Sequence, residues 1–171
     1  NSPIKEQASL EKVLSLFSRL KFEECQRQAQ RLIEEEPNHL RAHCIALETC
    51  RHLNDKAEIK PLIQSGLNNI KKGRQAFLTT AFGVCAHFQL GRTCRKLAIE
   101  ISLLAKNTNQ PELEVYELRS LVIRHKSKKA VHHALKLQEK FPTNATICLE
   151  LIRLLKQYGQ YRKAFKRIKD L

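Results

Sequence analysis

The sequence predicts an all-α fold, a solenoid of stacked helical hairpins, and three observations carry that reading. A helix signature, in which a small or apolar residue is followed by others four and seven positions later, recurs five times. It reads Cys25, Ala29, Leu32; Ile59, Ile63, Gly66; Cys94, Ala98, Ile101; Ala130, Ala134, Leu137; and Ala164, Ile168, Leu171. The first members stand 34, 35, 36 and 34 residues apart, a period at which each hairpin buries its apolar stripe against its neighbours. Only five Gly and five Pro occur in 171 residues, as an all-helical chain with short turns requires. Runs of β-branched residues with period-two alternation are nearly absent.

The elements follow from apolar periodicity and punctuation. Leu10, Val13, Leu14, Phe17 and Leu20 share one face of a first helix, and a break at Lys21 and Phe22 leads into a second that Pro37 stops. A third helix is expected over 40–53, with a turn at Asn54 and Asp55. Pro61 sits best in a helix's first turn, so the fourth helix is expected to start near Ile59 and to reach about Lys72. The third hairpin spans 75–89 and 92–106 around Leu90 and Gly91, and Asn107 to Gln110 forms a loop before Pro111. Helices over 112–125 and 128–140 follow, closed by Phe141 and Pro142. A last hairpin runs from Asn144 or Ala145 to Tyr158 and resumes at Tyr161.

The stretch Gly159-Gln160-Tyr161-Arg162-Lys163-Ala164-Phe165 supplies a turn glycine, an aromatic two residues on, and a small residue early in the next helix. Phe22 and Cys25 repeat the aromatic-then-small pattern, and Pro37 and Pro142 stand at the ends of units. In these features the chain resembles the tetratricopeptide-repeat (TPR) family. The resemblance covers nearly the whole chain as one domain over 1–171, with units over about 6–39, 40–73, 74–110, 111–144 and 145–171. It is uneven: Lys56, Gly91 and Ser127 stand where the aromatic would be, and the second and third units lack the terminal proline. The resemblance implies a right-handed solenoid that binds another protein, with the first helix of each hairpin lining the concave surface. The absence of an initial Met and the helical pattern at Leu171 read as a piece of a longer chain.

Charge is the main functional clue. The net charge is +14, and residues 1–57 balance nine Lys or Arg against nine Asp or Glu. Residues 58–110 carry eight basic against two acidic side chains, and residues 111–171 fourteen against six. Such polarity suits an acidic partner. Lys126, Lys128 and Lys129 crowd one turn, and Arg162, Lys163, Lys166, Arg167 and Lys169 line the final helix. Like charges three and four apart on a helix repel by a few tenths of a kcal/mol per pair, a cost an anionic partner would relieve.

With the resemblance's hairpin placement, Arg41, Glu48, Arg51 and His52 turn into the groove from the second unit. Arg119 follows from the fourth, and Arg153 and Lys156 from the fifth. Leu10, Leu14, Phe82 and Val115 are their expected apolar neighbours. A mixed groove of this kind suits an acidic or amphipathic segment of a partner protein. No Asn occupies the groove positions of the Lys/Asn clamp by which some family members hold a C-terminal carboxylate, which disfavours that mode.

The alternative is a nucleic-acid-binding helical repeat, since the last unit also has the apolar rhythm of a pentatricopeptide repeat. The basic units suit phosphate contact. Aromatics are only 6% of the chain, too few for a series of stacking platforms, and Tyr116, Tyr158 and Tyr161 read as packing and turn residues. No catalytic role is expected, because no Gly-rich phosphate loop, nucleophile elbow or His-Glu-x-x-His occurs. No cofactor or metal is expected either: His39, His43 and Cys44 lack a second ligand pair at a zinc spacing, and His132 and His133 face different sides of a helix. The six cysteines lie mostly in helical apolar patterns and read as buried free thiols, which favours a cytoplasmic or other reducing compartment. No apolar run approaches the roughly 20 residues of a membrane-spanning helix.

Overall fold

The computed structural model describes residues 3–160 and 163, with side chains from Gln7 onward. It is all-α, about 80% helical, with no strand among the described residues. The helices are α1 (Pro3–Ser18), α2 (Phe22–Glu35), α3 (Leu40–Leu53), α4 (Ile59–Asn69) and α5 (Arg74–His87), then α6 (Gly91–Thr108). A 3-10 turn (Pro111–Glu114) precedes α7 (Val115–Ile123), α8 (Ser127–Lys140) and α9 (Ala145–Gln157). The chain falls into two compact units, Asn1–Phe88 and Gln89–Leu171, and the boundary lies within the expected 74–110 repeat.

In the first unit α3 is the centre, packed by α1, α2, α4 and α5. Its inner face carries Ala42, Ala46, Leu47 and Cys50, all fully buried, and the two alanines let neighbouring helices approach closely. Against it pack Cys25, Ala29 and Leu32 of α2 and Phe77, Leu78 and Ala81 of α5. A polar seam runs through the α2–α3 contact. Thr49 donates from Oγ1 to the Ile45 carbonyl at 2.7 Å, the Cys25 thiol donates to the Val13 carbonyl at 3.5 Å, and Gln26 Nε2 donates to Cys50 Sγ at 3.3 Å. These bonds satisfy groups that burial would otherwise leave costly.

In the second unit α6 packs on α7, α7 on α8 and α8 on α9. Leu118, Ala130, Ala134, Leu151 and Leu155 form one cluster, and Val115, Leu137 and Ile147 a smaller one. The described members of the signature, through Leu137, are all buried. The fifth copy, Ala164, Ile168 and Leu171, lies outside the described residues, as does the helix expected from Tyr161 except for Lys163.

The backbone repeats independently of the side chains. Leu20, Asn54, Gln89, His125 and Gly159 all adopt positive φ, between 54° and 71°. Their spacings are 34, 35, 36 and 34, and each stands five residues before the first member of a signature. Four of them close helices by the same paired bonds: Leu20 N–H donates to Phe17 O and Lys21 N–H to Leu16 O, and the pattern returns at Asn54, His125 and Gly159. This left-handed closure satisfies carbonyls that a helix end leaves open. Helix starts are repeated too, two residues after a proline. His39 Nδ1 accepts from Ala42 N–H at 3.2 Å, and Asn144 Oδ1 accepts from Ile147 N–H at 3.1 Å, each capping its helix.

Several expected bounds shift for identifiable reasons. Leu20 leaves the first helix face, because its left-handed backbone ends that turn and leaves it 71% exposed. Helix α4 stops at Asn69 rather than Lys72, since Ile70 turns extended and is fully buried. The loop expected over 107–110 shrinks because α6 runs through Thr108 and closes on left-handed Asn109. The helix expected over 112–125 opens as the 3-10 turn and ends at Ile123.

Candidate partner-binding surface

The expected groove residues divide between the two units. In the first, Arg41 is exposed on α3, and Arg51 Nη2 pairs with Glu48 Oε2 at 2.8 Å one turn away. His52 is exposed yet stacks flat on Phe22, with ring centroids 4.3 Å apart, and Phe17 meets both rings edge-on at 5.6 Å. Here Glu48 offsets Arg51 and His52 is held by aromatic packing, so Arg41 is left as the cation without an ion pair among the described residues.

In the second unit Arg119 of α7 and Arg153 of α9 converge on one carboxylate. Glu150 Oε1 accepts from Arg119 Nη2 and, at 3.3 Å, from Arg153 Nη1. The Arg119 guanidinium also lies over the Tyr116 ring at 5.2 Å, a cation–π geometry. Glu150 is absent from the expected groove, although its i,i+3 spacing to Arg153 is the kind that pairs on a helix. Lys156 is exposed. Leu149, Arg153 and Lys156 are spaced four and three apart on α9, and Leu149 is 51% exposed, so an apolar side chain stands beside two cations.

Two expected apolar neighbours are corrected. Phe82 is 3% and Val115 2% exposed; both are core residues and offer nothing to a partner. Leu14 is exposed and Leu10 half-buried.

The expected basic patch resolves into a recess of about 270 Å³ within the second unit. Lys126 and Lys129 line it together with Arg95 and Arg124, while Lys128 is exposed outside it. Arg95 is on α6 and Arg124 caps α7, so the cluster depends on three elements meeting and has no contiguous sequence signal. Lys163 is exposed; Arg162, Lys166, Arg167 and Lys169 lie outside the described residues.

The other candidate groups are structural. His43 is fully buried, its Nδ1–H donating to the His39 carbonyl and its Nε2 accepting from Ser65 Oγ, each at 3.2 Å. That arrangement uses both ring nitrogens. All six cysteines are free; five are buried and Cys44 is half-buried. Burial pushes the Cys25, Cys44 and Cys50 thiols up, Cys50 to about 11 with help from the Asp55 charge. Among the described residues no group of three or more His, Cys, Asp or Glu is placed to hold a metal ion, and no helix is long and apolar enough to cross a membrane. Tyr158 packs against the α8–α9 core.

These features define an all-α, helical-repeat protein with a TPR-type fold. Comparison with solved structures finds a TPR-like chain described as MamA RS-1 ArsTM double mutant, at a TM-score of 0.62 and 10% identity. The match covers 96% of this chain and 91% of that one. At that identity the likeness concerns fold alone. No family model matches the chain, and no curated protein matches it in sequence.

Proposed function

We propose that the chain is a non-catalytic protein-interaction scaffold that holds an acidic or amphipathic segment of a partner protein. The TPR-like neighbour supports the scaffold class. The observation that carries the reading is the face of α9, where exposed Leu149 stands beside Arg153 and Lys156, with Arg119 joined through Glu150. An exposed apolar side chain rimmed by cations takes an apolar anchor and acidic neighbours from one peptide. Right-handed stacking of neighbouring hairpins is what the TPR resemblance implies, and the six free thiols suit a reducing compartment.

The test is fluorescence anisotropy with acidic amphipathic peptides against the wild type and the Arg153→Glu/Lys156→Glu variant. Both residues are exposed, so the fold should survive, which a circular-dichroism melt checks. Binding should be lost in the variant, and unchanged binding would remove the groove assignment. Nucleic acid is the competing occupant, favoured by the basic excess after residue 57. Tight binding of a single strand that falls steeply with salt, without peptide binding, would select it instead.

A further inference from the structure

We propose that the recess where α6, α7 and the start of α8 meet is a binding site for a phosphate monoester, the head of a phosphorylated serine or threonine on a partner protein. The identity of the partner as a protein rests on the scaffold reading above; the site itself rests on its own geometry.

Four cations from three elements line the recess: Arg95 from α6, Arg124 at the end of α7, and Lys126 and Lys129 at the start of α8. None is ion-paired with any described residue. The one acid in the lining, Glu117, is turned toward His133 at 3.9 Å. Holding like charges around one hollow is unfavourable by itself and is relieved by a bound anion.

Ser120 is the second, independent sign. It lines the same recess, is only 2% exposed, and its Oγ is buried with no hydrogen-bond partner. Buried hydroxyls are nearly always partnered, and this orphan belongs to a residue in the wall of a cationic recess. Helix α8 adds to this, since it begins at Ser127 with no side-chain cap. Its first amides have no intrahelical acceptor, and the helix end favours negative charge.

The charge and shape select the class of anion. A phosphate monoester carries a charge of about −1.5 to −2 and three terminal oxygens, enough to meet guanidinium forks, an ammonium and the Ser120 hydroxyl together. A carboxylate brings one charge and two oxygens. A nucleic-acid phosphodiester brings one charge and is tethered on both sides, so it cannot enter end-on. The volume, about 270 Å³, is several times the ~30 Å³ share of a water molecule in the liquid, which admits the head group. Ile99 lines the rim, and Leu103 follows one turn later on α6, each 52% exposed. They form an apolar ledge for a side chain next to the phosphorylated residue.

The experiment titrates the ¹⁵N-labelled chain with a short peptide carrying one phosphoserine and a neighbouring leucine. Parallel arms use its unphosphorylated and Ser→Glu forms and a single-stranded oligonucleotide. The expected result is saturable shifts of the Ser127–Lys129 amides with the phosphopeptide, weakened about tenfold or more, one charged contact's share, by Arg95→Gln or Lys129→Gln. Ser120→Ala, a near-isosteric change, should weaken binding by a smaller factor without changing the melt. Arg153→Glu/Lys156→Glu should leave these shifts in place. Shifts equal for phosphorylated and unphosphorylated peptides, no saturable shift, or stronger displacement by the oligonucleotide would each overturn the assignment. Phosphopeptide binding that survives Arg95→Gln and Lys129→Gln but is lost in Arg153→Glu/Lys156→Glu would also overturn it, while leaving the scaffold reading intact.

Discussion

A Cβ built on Gly66 would lie 2.1 Å from Cζ of Phe77 and within 2.9 Å of two more ring atoms. The Phe77 ring is fully buried and meets His43 edge-on at 6.0 Å, so it has nowhere to retreat. Glycine is a poor helix former, and alanine in a free helix would gain about 1 kcal/mol. Here the contact reverses the sign. Gly66→Ala should destabilise the first unit by about 1–3 kcal/mol, the usual cost of overpacking, read as a lower urea midpoint. A stabilised variant would contradict the α4–α5 packing.

Leu20 offers the opposite case. It holds φ at 58° with its side chain 71% exposed, so the strain of a left-handed branched residue is offset by little burial. Leu20→Gly should raise stability by up to about 1 kcal/mol. Asn54→Gly should be near neutral, because asparagine tolerates the same conformation. Equal effects from both substitutions, measured by thermal melts, would show that the left-handed turn is not the controlling factor.

Burial holds the His43 imidazole below its ordinary value of 6.5, outweighing the help of the His39 carbonyl. The folded state therefore keeps it neutral where the unfolded chain takes up a proton. Its stability contribution is fully present above pH 6.5 and is lost as pH falls from there through the lowered folded value. Urea midpoints of wild type and His43→Gln, measured from pH 8 to 5, should converge as the pH falls. Parallel profiles would contradict the buried neutral ring.

The thiols titrate with the other sign. Cys50 is raised from 9.0 to about 11, so it stabilises the fold fully below pH 9 and loses that contribution as pH rises through about 11. At pH 8 the buried thiols should resist a thiol reagent in the native state, with half-buried Cys44 modified first, and all six should react in denaturant. Rapid native modification of Cys50 or Cys94 would contradict their burial.

The period was legible in sequence because Cys25, Ile59, Cys94 and Ala130 must be small or apolar to be buried. The bounds of α3 were legible from Pro37 and the turn at Asn54, whereas the cap at His39 emerges only in the structure. The left-handed turns were not, apart from Asn54 and Gly159. Leu20, Gln89 and His125 carry no turn propensity, and their conformation follows from helix-end hydrogen bonding and packing rather than residue type. The placement of the expected groove residues was legible in part. Arg119, Arg153 and Lys156 follow from hairpin register, but Glu150 draws the two arginines together across α7 and α9. Phe82 and Val115 share the spacing of groove residues and yet pack inward, a choice made by neighbouring helices.

Peptide capture by the second unit is proposed to run through the α9 face, where Leu149 stands beside Arg153 and Lys156. The most direct measurement is a peptide-display selection against the folded chain, followed by anisotropy of the enriched peptides on wild type and Arg153→Glu/Lys156→Glu. Enrichment of sequences with acidic residues around an apolar anchor is expected, together with loss of their binding in the variant. Enrichment of basic or charge-neutral sequences, or binding indifferent to the substitutions, would contradict it.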